Sequence, residues 1–188
     1  MESMAVSATE PRAERALIIA FVDLSTFAVD ARRVADEARL ADIVDAYYEL
    51  VAVAVHRAGG RVVKFMGDGA LLAFDPTRAD EAVTALLDAK RDVDEWASRE
   101  RWDSRLVVKV HTGKVIAGPF GARGDKRFDV IGDAVNVAAR LQTRSFALSA
   151  ETFRLLSPAA RKMFKKHTPP ILYIPLDAAR PSNLAKWG

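Results

Sequence analysis

The period of the hydrophobic positions changes several times along this chain, and each change marks an element. Residues 16–22 form an unbroken apolar run that ends on a carboxylate, Asp23, as expected of a central strand buried on both faces. Leu40, Ile43, Val44, Tyr47, Val51 and Val55 recur at helical spacing and predict a long amphipathic helix ending before Gly59 and Gly60. Residues 61–65 and 70–74 read as two strands joined by Met66, Gly67, Asp68 and Gly69, a composition suited to a tight hairpin turn with Asp68 at its tip. Val83, Leu86, Leu87, Val93 and Ala97 restore the helical period. Leu106, Val108 and Val110 then alternate with Val107, Lys109 and His111 as a strand. Strand, helix, hairpin, helix, strand is the ferredoxin-like βαββαβ pattern, an α+β sandwich with helices on one sheet face.

The pattern weakens further on. A glycine-rich connection leads to Asp133, which is expected to cap a helix from Ala134 to about Gln142. A C-terminal β/α extension follows, with a helix near residues 150–156, a basic stretch over 161–166 and a proline-led strand over 171–174. Residues 1–15 mix charge, Ala, Ser and Pro without periodicity and read as a flexible leader. The organisation expected is therefore a leader (1–15), one catalytic domain (16–176) and a C-terminal tail (177–188).

Composition narrows the function. At 188 residues, half of them hydrophobic, the chain can bury one core without staples. It has no cysteine, which removes disulfides, thiolate zinc sites and cysteine nucleophiles and fits a cytoplasmic setting. The excess of 28 Lys and Arg over 25 Asp and Glu is too small and scattered to predict nucleic-acid binding. No apolar run reaches the roughly 20 residues that span a bilayer, so no membrane partner is expected.

Asp23 and Asp68 are far apart in sequence but are both expected at the mouths of adjacent central strands. Each alone also fits ordinary turn chemistry. Converging without His or Cys beside them, they would make a hard oxygen site for Mg2+ or Mn2+, and phosphate chemistry is the usual use of such a pair.

Phe21, Val22, Asp23 and Leu24, then Lys64 to Asp68, then His111, Thr112 and Gly113 with Gly118 and Gly121, and finally the run from Asp129 to Arg140 together resemble the class III nucleotidyl cyclases over roughly residues 17–176. The resemblance implies two divalent cations, Mg2+ or Mn2+, held by Asp23, Asp68 and the Leu24 carbonyl. It implies Lys64 and Asp129 as base-reading residues, Asn136 positioning the ribose, and Arg140 stabilising charge on the α-phosphate. Asn136 and Arg140 are four residues apart, so one helix face presents both. The resemblance further implies a head-to-tail homodimer in which metal residues of one subunit face the remaining residues of the other.

Lysine only donates and ionised aspartate only accepts, which matches N1 and the N6 amino group of adenine and mismatches guanine. The expected activity is therefore that of an adenylyl cyclase making 3',5'-cyclic AMP and pyrophosphate from ATP. A guanylyl cyclase and a catalytically silent nucleotide-binding module are the alternatives. Thr26 and Phe27 stand where the family usually has glycine and phenylalanine, and Ala28 where it has a hydroxyl residue. This loop is expected to meet the triphosphate chiefly through its backbone. Lys165 is the candidate contact to the terminal phosphates, in a segment that lacks the family's glycine, and the connection after Arg140 is shorter than usual.

Overall fold

The computed structural model describes residues 11–176. The tail expected over 177–188, and the leader over 1–10, lie outside the described residues. The rest of the expected leader does not stay apart from the domain, because the first strand, β1 (Ala13–Leu24), begins inside it. A short helix α1 (Phe27–Ala31), a long α2 (Glu37–Arg57), the hairpin β2 (Arg61–Met66) and β3 (Gly69–Phe74), a long α3 (Ala79–Arg99) and β4 (Leu106–Ala122) follow. Then come β5 (Asp125–Ile131), α4 (Asp133–Arg140), β6 (Phe146–Leu148), α5 (Ala150–Leu155), α6 (Pro158–Arg161), β7 (Phe164–His167) and β8 (Leu172–Pro175).

The strands make one eight-stranded sheet in the order β2-β3-β1-β4-β6-β8-β7, with β5 paired to β4. The adjacency β2-β3-β1-β4 with α2 and α3 between strands is the ferredoxin-like pattern. β1 is central and antiparallel to both neighbours. Its even positions Ile18, Ala20, Val22 and Leu24 pack with Tyr47, Val51, Val55, Val83, Leu86 and Val93 of the long helices. Its odd positions Leu17 and Ile19 pack on the other face with Phe128, Val130, Ala134 and Ala138 of β5 and α4. Burial on both faces is why β1 reads as a continuous apolar run. Strand parity then places Asp23 on the second face, at the end of the strand.

α2 starts at Asp36, whose side chain accepts from the Ala38 amide at 2.9 Å, and ends where Gly59 takes a left-handed φ of 68°. Three differences from the sequence reading bear on the site. The glycine-rich connection is part of β4, which continues to Ala122 and turns back into β5. Asp133 opens α4 without capping it; Gly132 holds the cap position and no side chain caps the helix. α4 stops at Arg140, because the next residue, Leu141, is already extended. At Gly113 a Cβ would meet the Ala134 Cβ at 2.7 Å, so this glycine lets α4 lie directly on β4.

Candidate functional site

Asp23 pairs in register with Gly69 of β3 and with Val107 of β4. The Leu24 amide donates to the Asp68 carbonyl oxygen at 3.2 Å, which ties the hairpin turn to the end of β1. Gly67 supplies the positive φ, 64°, that a two-residue hairpin turn needs. The two carboxylates are thereby brought close enough to interact. Asp68 is held above the ordinary carboxylate range, first by burial and then by the charge of Asp23. Leu24 itself has a buried side chain.

Lys64 faces Leu71 across the β2–β3 ladder, and Leu71 belongs to the second-face core, so Lys64 lies on the same sheet face as Asp23. β5 crosses toward β2 there, with Arg61 stacked 4.0 Å over the Phe128 ring. Lys64 Nζ donates to Asp129 Oδ2 at 2.7 Å, and Asp129 Oδ1 accepts from the Val130 amide at 2.8 Å. Residues 65 apart in sequence thus form one donor and acceptor pair. On α4, Ala134 and Ala138 are buried against the sheet while Asn136 and Arg140 are exposed, so the helix presents these two outward together.

Thr26 takes a left-handed conformation, φ 63°, at the entrance to α1, with its hydroxyl 3.5 Å from that of Ser104. Phe27 packs against the main core and meets Trp102 edge-on at 5.7 Å. Its ring is thus a packing residue of this loop, whereas Thr26 and Ala28 are exposed. Lys165 is exposed on β7, paired with Ile174. With β4, β6 and β8 between β7 and β1, at roughly 4.8 Å per strand, it lies on the order of 20 Å from Asp23 within one subunit.

Three residues beside the carboxylates were not singled out by the sequence reading. Tyr47 is completely buried, and its hydroxyl is without a hydrogen-bond partner among the described residues. Burial, then the charges of Asp68 and Asp23, push its ionisation well above the usual tyrosine range. Tyr48 donates to the Gly67 carbonyl oxygen at 2.6 Å and stacks on Phe65 at 3.9 Å, bracing the turn that carries Asp68. Lys109 Nζ lies 3.5 Å from Asp23 Oδ2. Periodicity alone marks Tyr47 as a core residue and Lys109 as a strand residue. The available signal was chemical: a hydroxyl in an apolar helix stripe, and an ammonium on an inner strand.

The residues fit hard divalent cations. Asp68 has no cationic partner among the described residues, it is crowded by a second carboxylate, and an unpaired buried hydroxyl feels both charges. Among the described residues no cluster of three or more His, Cys, Asp or Glu occurs. Two carboxylates and a backbone carbonyl would leave the remaining positions to water and phosphate oxygens, as Mg2+ prefers.

Fold and site define a nucleotidyl cyclase catalytic domain. A family model described as the adenylate and guanylate cyclase catalytic domain matches residues 10–170, and this chain belongs to that family. The structure is similar to adenylyl cyclase CyaB from P. aeruginosa, with a TM-score of 0.77 at 21% identity over 91% of this chain and 98% of that one. It is similar to a bacterial light-regulated adenylyl cyclase at 0.77 and 22%, over 92% of this chain and 55% of that one. It also resembles the guanylyl cyclase Cya2, at 0.73 and 19%, over 94% and 99%. Among curated proteins, Rv1319c and Rv1318c of Mycobacterium tuberculosis are 33% and 35% identical over 131 residues, 68% of this chain. The chain spans about a quarter of the length of these relatives, 24%. Among the described residues no helix is long and apolar enough to cross a membrane.

Proposed function

We propose that this domain is an adenylyl cyclase that acts as a head-to-tail homodimer in the cytoplasm. The observation carrying the adenine reading is the Lys64 to Asp129 pair at 2.7 Å. Its donor suits the N1 acceptor of adenine and its acceptor suits the N6 amino group. Guanine would put an N–H against the ammonium and a carbonyl oxygen against the carboxylate, mispairing both at about 1–3 kcal/mol each.

The reaction joins the ribose O3' to the α-phosphorus, breaks the bond to the bridging oxygen of the β-phosphate, and releases pyrophosphate and the 3'-hydroxyl proton. Divalent cations at Asp23 and Asp68 would activate the attacking oxygen and neutralise the leaving phosphates. Asn136 holds the ribose so that O3' lies in line, and the Arg140 guanidinium, with fixed geometry, meets the charge that grows on the α-phosphate oxygens. Support for a shared site comes from the placement of these groups. Asn136 and Arg140 point outward from α4, and Lys165 lies at the far sheet edge, so a second copy is the natural source of the carboxylates that face them. The backbone at Thr26 and Phe27 borders the carboxylates and supplies contacts to the triphosphate.

The test is incubation of the purified chain with ATP or GTP and Mg2+ or Mn2+, with cyclic product measured. Cyclic AMP as the dominant product is expected. Preferential cyclic GMP formation would overturn the base assignment, and no product from either nucleotide would favour the silent module.

A further inference from the structure

Lys109 is a charged residue on an inner strand, and its register determines where the charge goes. It faces Phe21 across the β1–β4 ladder while Asp23 faces Val107, so Lys109 and Asp23 are diagonal neighbours on one sheet face. The ammonium lies 3.5 Å from Asp23 Oδ2, with the lysine side chain 21% exposed and the aspartate 44%. Both side chains are only partly covered, so the flexible lysine stem can carry its ammonium from the carboxylate toward solvent. Asp68, by contrast, has no such counterion among the described residues. Two ionised carboxylates offer a dication two negative charges; with Lys109 in place the field is that of one.

We propose that Lys109 is a tethered competitor for the divalent cation at Asp23. Its ammonium neutralises this carboxylate in the metal-free protein and swings outward when the metal arrives, so metal binding is an exchange. The consequence is a coupling to substrate. Free metal binds weakly, whereas metal arriving with a nucleotide brings phosphate oxygens that give the displaced ammonium a new partner. Lys109 thereby sets the domain to load metal and nucleotide together. This inference rests on the reading of Asp23 as a metal ligand.

The experiment is a Mn2+ titration of the full chain, followed by the EPR signal of free Mn2+ in the absence of nucleotide. Lys109→Met is expected to bind Mn2+ about tenfold more tightly than the unaltered protein, the scale of removing a unit charge a few Å from a dication in a partly screened site. Lys109→Arg keeps the charge and is expected to bind like the unaltered protein. In the presence of a non-hydrolysable ATP analogue the advantage of Lys109→Met should shrink. Thermal melts establish that each variant is folded, and Lys109→Gln replaces the methionine variant if that one is not. Unchanged or weaker Mn2+ affinity in the neutral variant, with Asp23→Asn losing affinity, overturns the role of Lys109 alone. Equal binding by Asp23→Asn and the unaltered protein overturns the metal reading and this proposal with it.

Discussion

Two acidic sites lie on one face of the same sheet in opposite electrostatic states. Asp129 is satisfied within the chain, with Lys64 at 2.7 Å on one oxygen and the Val130 amide at 2.8 Å on the other. Asp68 is the reverse: partly buried and pushed toward its protonated form by burial and by Asp23. The first site has its cation built in, so a ligand that replaces the pair must offer both an acceptor and a donor. The second is short of positive charge, which under the proposed function a divalent cation supplies. In the proposed function, base specificity and charge neutralisation are thus separated between the two, and each can be broken without the other.

The largest separation is expected in turnover. Asp68→Asn or Asp23→Asn should lower cyclase kcat/KM on the order of 10³-fold, the scale of losing a group that stabilises transition-state charge, while ATP remains preferred over GTP. Arg140→Ala should fall in a similar range. Because the proposed sites combine two subunits, mixing Asp68→Asn with Arg140→Ala should restore activity, since one of the two sites in the mixed dimer is then intact. Two inactive variants that stay inactive when mixed, while exchange of subunits is demonstrated, would rule out the shared site.

A smaller effect, and a different one, is expected at the satisfied pair. Lys64→Glu should reduce the ATP to GTP ratio of kcat/KM by about 10- to 100-fold, the range set by mispaired buried polar groups. Mn2+ binding should be little changed. An ATP preference that survives this substitution would show that the pair does not read the base.

How far the sequence revealed these sites follows from how each is built. β1, α2, β3 and α3 were legible because each buries apolar positions regularly, such as Ile18, Ala20, Val22 and Leu24 on one strand face and Ile43, Tyr47, Val51 and Val55 along one helix; β2, with no buried residue, was legible as the other arm of the hairpin. β5 was not. Only Phe128 and Val130 of its residues are buried, while Asp125, Lys126 and Arg127 are exposed, so two apolar positions among charges gave no usable alternation. Gly113, Gly118 and Gly121 read as a connection but lie inside β4, where the close approach of Ala134, Arg12 and Asp125 and, at Gly118 and Gly121, a positive φ demand them. β6 has three residues and α1 five, too short for any period to register. Asp129 was named from the motif in which it stands. Its partnership with Lys64, by contrast, depends on β5 crossing to β2, a tertiary event without a local signal.

The unsatisfied site should also declare itself in stability. A carboxylate whose folded-state pKa is raised binds its proton more tightly folded than unfolded, so stability falls as pH rises from the unfolded value through the folded one and stays lower above it. Asp68 has that sign. At neutral pH with a chelator, Asp68→Asn should therefore melt higher than the unaltered protein by roughly 1–2 °C, a small increment for a domain of this size. The difference should vanish in acid. Adding Mn2+ should raise the melting point of the unaltered protein more than that of the variant.

The smallest effect belongs to His111, which shares β4 with Lys109 but belongs to neither acidic site. It is nearly buried, its Nδ1 lies 2.9 Å from the Ser149 hydroxyl and 3.6 Å from Glu151, and burial depresses it below the usual histidine range against the opposing pull of Glu151 and Asp133. A depressed histidine takes up its proton more readily unfolded, so stability is lost as pH falls from about 6.5, the ordinary histidine value, through the lower folded one. This is opposite in sign to the contribution of Asp68, which gains stability as pH falls. Thermal melts of metal-free protein across pH 4–8 should therefore show the two as separable slopes. His111→Gln is expected to flatten the near-neutral slope by about 1 °C over that window and to leave the acid limb unchanged. A variant that altered the acid limb instead would place the titration at the carboxylates, and the contrast between a satisfied and an unsatisfied acidic site would then have to be measured with His111 removed.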